Sequence, residues 1–372
     1  MRRKGLTPLD KIAIVVVLIL ATGVWGSYFG VKQIPSTSAT AESVNYAHSL
    51  ALLVPTRSQF FNDVIDGVKA ALPKSGLNAT LYDATSDSTL QVQQIDDAIS
   101  KRFGAILIAP VSAQDVAPEL RKAMASGIPV FTVARDVPDT LARVAYIGTD
   151  MQKAASTLAV YAMDTMLDRS GGGMCHDQAG GMCPYGVVLL EGTRDVYNAV
   201  DIKKGFHRIF HPLLLNTSLG GEMSPRVSIV ADLPAGLERE PGSVIMMATF
   251  MKTKNIQSVV AASDIQALDA IQGIKDENLQ PGKDIYVFGI GIHQQTILAI
   301  NNGSLTSTIA ETPFIMGYWG VQAAAKMIFQ GQGPPTGLYP DNKISTAFYN
   351  VTNQNVDQVL LILKQVPPNP PY

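Results

Sequence analysis

Residues 49–76 read SLALLVPTRSQFFNDVIDGVKAALPKSG, and a change of period inside them decides the fold. Leu50 to Val54 is a continuous apolar run closed by Pro55, the pattern of a strand buried on both faces of a parallel sheet. From Phe61 the apolar residues recur at three and four, through Val64, Ile65, Val68, Ala71 and Leu72. An amphipathic helix therefore follows and stops at Gly76. The loop Pro55-Thr56-Arg57-Ser58-Gln59-Phe60 then lies at the carboxyl end of a sheet strand, where open α/β sheets bind their ligands. Phe61 falls on the apolar stripe and reads as core. Phe60 falls off it and is the better ligand contact, with Ser58 and its hydroxyl beside it.

The same rhythm repeats downstream. Strands are expected at Ala79 to Tyr82, Ala105 to Ala109, Ile128 to Val133 and Ala145 to Gly148, with helices at Leu90 to Lys101 and Val116 to Ala125. A second series has strands at Val187 to Leu190, Val227 to Val230, Val259 to Ala262 and Ile285 to Phe288. Its helices are expected at Ala154 to Leu167, Ala199 to Phe210, Val244 to Met251 and Ile265 to Ile274. Such alternation means a parallel sheet with helices on both faces, and two such series in tandem mean two lobes with a cleft between them.

Composition narrows the function. The net charge is -2 and only 16% of residues are charged, which argues against a nucleic-acid binder with a basic face. No phosphate loop, nucleophile elbow or zinc-protease signature is present. The nearest approach to a dinucleotide fingerprint, Gly289-Ile290-Gly291, has Gln294 where a third glycine is needed. An enzyme is not expected, and neither is a cofactor.

The amino terminus points to the membrane. Met1-Arg2-Arg3-Lys4 precedes an uncharged stretch from Ile12 to Val31, long enough to span a bilayer at about 1.5 Å per residue. The basic flank stays in the cytoplasm and the remainder lies outside. Ala39-Thr40-Ala41 is the competing signal-peptide cleavage site, and export holds in either case. The two cysteines, Cys175 and Cys183, lie in a Gly-rich segment. Outside the cell a disulfide closing this loop is the leading reading, ahead of a zinc site with His176 and Asp177. Asn78, Asn216, Asn302 and Asn350 begin sequons that an organism with the machinery could glycosylate.

Taken in order, these motifs resemble the sugar-type periplasmic binding proteins, the ribose-binding group of ABC-transporter solute receptors. The resemblance rests on Leu50 to Gly76; Gly104-Ala105-Ile106-Leu107-Ile108-Ala109-Pro110; Ala125 to Val130 followed by Arg135; Ala262-Ser263-Asp264; and Asn302-Gly303-Ser304-Leu305 leading to a strand that ends at Glu311. It implies a type I periplasmic binding fold, two Rossmann-like lobes joined by three crossings, expected near Gly148, Ile290 and Thr312. The expected division is 1–31 cytoplasmic stub and membrane anchor, 32–46 linker, 47–148 plus 290–311 amino-terminal lobe, 149–289 plus 312–349 carboxyl-terminal lobe, and 350–372 tail.

The resemblance also implies a ligand set of Ser58, Phe60, Phe61, Arg135, Asp264 and Glu311, to which the carboxyl-edge rule adds Arg194 and Asn198 in the loop after Val187 to Leu190, solvated loop residues being the alternative for these two. Three positions depart from the family pattern. Ala134 replaces the aspartate before Arg135, Ile202 replaces an arginine, and Gly291 replaces the aspartate after the Gly-aromatic pair; Glu311 stands where glutamine is common. Fewer bidentate contacts to hydroxyls remain, so a less hydroxylated solute fits. His293 reads as a helix-start residue. The expected function is a membrane-anchored, extracytoplasmic receptor that captures a sugar or sugar-like solute for an ABC import permease. A sensing ectodomain or accessory subunit for a separate membrane partner is the alternative.

Overall fold

The structure is a computed structural model that describes residues 46–169, 175–176, 182–183, 185–192, 197–210, 227–234, 256–331, 342–363 and 365. The expected anchor at 1–31, most of the 32–46 linker, the Val244 to Met251 helix and Arg194 lie outside the described residues. Among the described residues no helix is long and apolar enough to cross a membrane.

The quoted stretch folds as read. Strand β1 (Ser49–Val54) is buried along its whole length, and helix α1 (Gln59–Ser75) begins two residues earlier than the apolar period because Ser58 accepts the Phe61 backbone N–H as its cap. Gly76, at φ 73°, closes the helix in the left-handed conformation. Strands β2 (Asn78–Asp83), β3 (Ala105–Ile108), β4 (Val130–Val133) and β5 (Ala145–Thr149) follow, with α2 (Ser88–Ser100) and α3 (Ala113–Ala125) between them. Successive residues of β1 serve opposite faces. Leu50, Leu52 and Val54 join the cluster under α1, whereas Ala51 and Leu53 join Ile95, Val116 and Leu120 beneath α2 and α3.

The second series comprises α4 (Met151–Arg169), the short strands β6 (Cys175–His176) and β7 (Met182–Cys183), β8 (Tyr185–Glu191), α5 (Tyr197–Phe210), β9 (Val227–Pro234), β10 (Ser258–Ala261), α6 (Asp264–Asp276), β11 (Tyr286–Ile290), α7 (Gln294–Asn301) and β12 (Ser307–Ala310). The last described elements are α8 (Pro313–Gln330), β13 (Lys343–Thr346), β14 (Tyr349–Val351) and α9 (Val356–Leu363). Two six-stranded sheets result, ordered β13-β5-β4-β3-β1-β2 and β14-β12-β11-β10-β8-β9. All neighbours run parallel except β14, which is antiparallel to β12. This is the α/β type I architecture expected from the sequence.

Strand pairing moves two of the expected boundaries. The chain crosses between the sheets after β5, after β12 and between β13 and β14. Ile290 is not a crossing. It ends β11, which pairs with both β10 and β12, so 290–311 belong to the second lobe rather than the first. Helix α8 and strand β13 belong to the first lobe, because α8 lies along α1 and β13 pairs with β5. Within the expected 350–372 tail, β14 completes the second sheet and α9 buries Val356 and Val359.

Helices α1 and α8 approach so closely that a Cβ on Gly67 would fall 2.0 Å from the Phe314 carbonyl oxygen, and one on Gly317 would fall 2.0 Å from that of Val64. Two glycines thus let the backbones touch and fix the middle of α1 against the amino-terminal turns of α8, next to the second crossing. There the Thr312 hydroxyl donates to the Ala347 carbonyl at 2.9 Å, tying the second crossing to the third.

Candidate functional site

The segments that follow the carboxyl ends of the strands carry the expected residues, and the two lobes meet there through the Ala134–Asn198 contact and a shared cavity. On the first lobe, Ser58 is committed to the cap of α1, its Oγ 3.4 Å from the Phe61 nitrogen. Phe61 is core, as its place on the stripe requires, and only 5% exposed. Phe60 is half-buried and meets it edge-on with ring centroids 5.2 Å apart. The Arg135 guanidinium lies 5.3 Å from the Phe61 ring centroid, a cation over a π face, and Nη1 donates to the Pro110 carbonyl at 3.3 Å.

The segment that presents Arg135 is strained and braced. Ala134 holds φ 60°, the left-handed region that residues with a Cβ avoid. Its carbonyl accepts the Asn198 amide of the second lobe at 2.5 Å and the Tyr146 hydroxyl at 3.3 Å. Asn198 Oδ1 also receives the Asp136 N–H at 3.4 Å, and one turn along α5 Asp201 lies 3.7 Å from Lys343 of β13. Expected as a solute contact, Asn198 bonds the backbone of the opposite lobe.

On the second lobe, Ser263 caps α6 and Asp264 opens it, buried at 3% exposure. The Asp264 carboxylate accepts from the Thr296 hydroxyl at 3.0 Å and is bonded to His293 Nδ1. His293 is the residue before α7, as its helix-start reading required, yet it makes no side-chain cap. The contact with Asp264 raises its pKa despite partial burial, and Asp63 of the first lobe adds to the effect. That role escaped the sequence reading because Asp264 is 29 positions away.

Glu311, just past β12, completes the constellation. Burial pushes its carboxyl up to about 7, helped by the nearby Asp264 charge and opposed by the Thr149 hydroxyl. Because this lies above the ordinary 4.5, the folded state keeps the proton across that interval and loses stability as pH rises through about 7. Glu311→Gln should therefore leave the melting temperature unchanged near pH 4. It should raise it above pH 8, where the stability gain is as much as roughly 3 kcal/mol. Thermal unfolding at both pH values checks this, and equal shifts at both would refute the buried-acid reading.

A cavity of about 430 Å³ joins these parts, lined from the first lobe by Phe60, Asp63 and Phe314 and from the second by Gly291 and His293, with Glu311 at the crossing. A groove of about 660 Å³ between α4 and α5 is walled by the second lobe alone. The structure thus brings Phe60 and Glu311 into one cavity, with Asp264 behind His293 and Arg135 on Phe61. Glu191, His207 and Asp232 also place donor atoms within 4.8 Å, but the Lys203 ammonium already bonds both carboxylates there, 2.9 Å from Asp232. Cys175 and Cys183 stand directly opposite in the β6–β7 ladder.

A periplasmic binding protein domain model matches residues 50–332, most of the chain. The chain belongs to the periplasmic binding protein family. Its relatives include the ribose import binding protein of Bacillus subtilis, 24% identical over 290 residues, 78% of this chain and 83% of that one. The galactofuranose-binding protein of Escherichia coli is 26% identical over 255 residues, 67% and 72% of the two chains. Among solved structures, an ABC transporter solute binding protein from Bacillus halodurans with bound myo-inositol superposes with a TM-score of 0.68 at 18% identity, covering 85% of this chain and 98% of the other. Membership places the binding domain outside the cytoplasm and makes it a binder rather than an enzyme.

Proposed function

We propose that the chain captures a small polar solute, a sugar or sugar-like molecule, between its lobes and passes it to an ABC import permease. The observation that carries this is the interlobe cavity, where the first turns of α1, the loop after β11 and the second crossing converge. Closure follows if the solute bonds both lobes, since only a ligand with higher affinity for the closed form shifts the equilibrium. Phe60 stacks on the solute, Arg135 and Glu311 bond it, and Asp264 positions His293. The relatives bind ribose and galactofuranose by name, which supports the solute class. Residues 1–31 are the membrane anchor in this reading, holding the domain on the outer face.

The test is a thermal-shift panel of sugars and cyclitols on the full-length chain in detergent. A solute at a hundred times its Kd should add about 2.7 kcal/mol of stability. Arg135→Ala should then weaken the best ligand about tenfold or more, because a buried polar group of the solute loses its partner. A flat panel, or unchanged affinity in Arg135→Ala, would sink the assignment.

We propose also that Cys175 and Cys183 form a disulfide, their opposed register supporting the pairing. Intact-mass measurement of non-reduced protein should show both thiols consumed; free thiols would refute it.

A further inference from the structure

The cavity is distinguished by the sign of what lines it. Asp63, Asp66 and Glu311 present three carboxyl groups, and no lysine or arginine is among the described residues of the lining. Among the described residues of the lining His293 is the one basic side chain, and it is bonded to Asp264. Lys69 pairs with Asp66 at 2.9 Å, but both are well exposed and the pair neutralises little. Arg135 is not part of the lining: it sits on the Phe61 ring and bonds the Pro110 carbonyl, so the bond to the solute proposed above is to a hydroxyl that it reaches as the lobes close, apart from the ammonium end. The rest of the described lining is largely apolar and includes the Phe60 and Phe314 rings, with Gln59 and Thr312 as its neutral polar side chains.

Neutral hydroxyls both donate and accept, and a site for them offers both kinds of partner. Here acceptors outnumber cationic donors, and aromatic faces add a second surface that attracts positive charge. We propose that the solute is an amine-bearing ring, an amino sugar or aminocyclitol, whose ammonium is held by Glu311 and Asp63 while its ring rests on Phe60. This rests on the reading of the cavity as the solute site. It accounts for two features together: a glutamate where the resembling family often has glutamine, and the loss of charged groups at Ala134, Ile202 and Gly291.

Glu311 gives the proposal a signature in pH. Its neighbours are Asp264 of α6, Thr149 and Tyr146 of β5, and across the cavity Asp63 and His293. With its proton retained up to about 7, it offers a full charge to an ammonium only when the proton leaves. Binding of the amine therefore releases a proton and strengthens as pH rises toward 7.5.

The experiment uses the full-length protein in detergent and matched probes: glucosamine against glucose, galactosamine against galactose, and an aminocyclitol against myo-inositol. Calorimetry should show one amine binding about tenfold or more tightly than its neutral partner, the scale of a charge-assisted hydrogen bond. Its affinity should rise several-fold from pH 6 to pH 7.5, and Glu311→Gln should abolish that rise. A neutral member that binds as tightly as its amine overturns the amine assignment and leaves the sugar reading standing. Silence from both members of every pair overturns both. An amine preference whose pH dependence is unchanged in Glu311→Gln overturns the role given to Glu311.

Discussion

Arg143→Ala should cost on the order of 3–5 kcal/mol of stability, the largest loss expected from any single truncation near the cleft. Arg143 and Asp136 are 1% and 2% exposed, and their contact is bidentate, Nε to Oδ1 at 2.6 Å and Nη2 to Oδ2 at 2.8 Å. Asp136 Oδ1 also accepts from the Thr132 hydroxyl and the Val137 N–H, both at 2.8 Å. Removing the guanidinium leaves a carboxylate buried among donors too few to replace a full charge. The damage falls on the segment that follows β4, which holds the strained Ala134 and presents Arg135. Solute affinity should drop with stability. Replacing both partners by apolar residues, Arg143→Met with Asp136→Leu, should recover much of the loss, because the desolvation of both charges goes too. Urea unfolding of the single and double variants measures this. A single-variant loss under about 1 kcal/mol would mean that the pair is hydrated and that the brace is not electrostatic.

How much of this was readable in advance depends on how far apart the interacting residues are. The βα grammar is local: β1 and α1 announce themselves through their periods, and each half repeats the pattern. Helix α8, Pro313-Phe314-Ile315-Met316-Gly317-Tyr318-Trp319-Gly320 onward, gave no such signal. It is packed against both α1 and the first sheet, so it lacks the polar face that makes a helical period visible. The crossing misplaced at Ile290 has a similar cause. Whether the strand after Asn302 pairs with β11 or returns to the first sheet is a long-range choice that neither strand's residues encode. At the site, motif position singles out Phe60 and Glu311, which line the cavity, and Asp264, which stands behind His293; Phe61, expected among the ligand contacts, is core. His293 and the Asn198 bridge were missed in role, because each acts through a residue of another element. Asp136 was passed over for the same reason. In sequence it is one more acid after an arginine, and only the fold supplies Arg143.

Gly291→Asp, which restores the residue common in the resembling family, should destabilise this chain by about 3 kcal/mol or more rather than improve its site. Gly291 has φ 115°, where L side chains are strained, and a Cβ there would lie 2.8 Å from both Cγ and Oδ1 of Asp264. Asp264 cannot step aside without giving up Thr296 at 3.0 Å and the bond to His293, so the overlap falls on a pinned group. Gly291→Ala isolates the steric and backbone cost. Gly291→Asp adds a second carboxyl beside the first, and two acids in one site raise their shared titration. Folded-state pKa values above the unfolded ones mean stability that falls with rising pH. The gap between the Asp and Ala variants should therefore widen between pH 4 and pH 7. Chemical unfolding of both variants across that range decides it. A Gly291→Asp chain as stable as the parent would show that Asp264 does not occupy the space behind the β11 loop, and the positioning of His293 by Asp264 would fall with it.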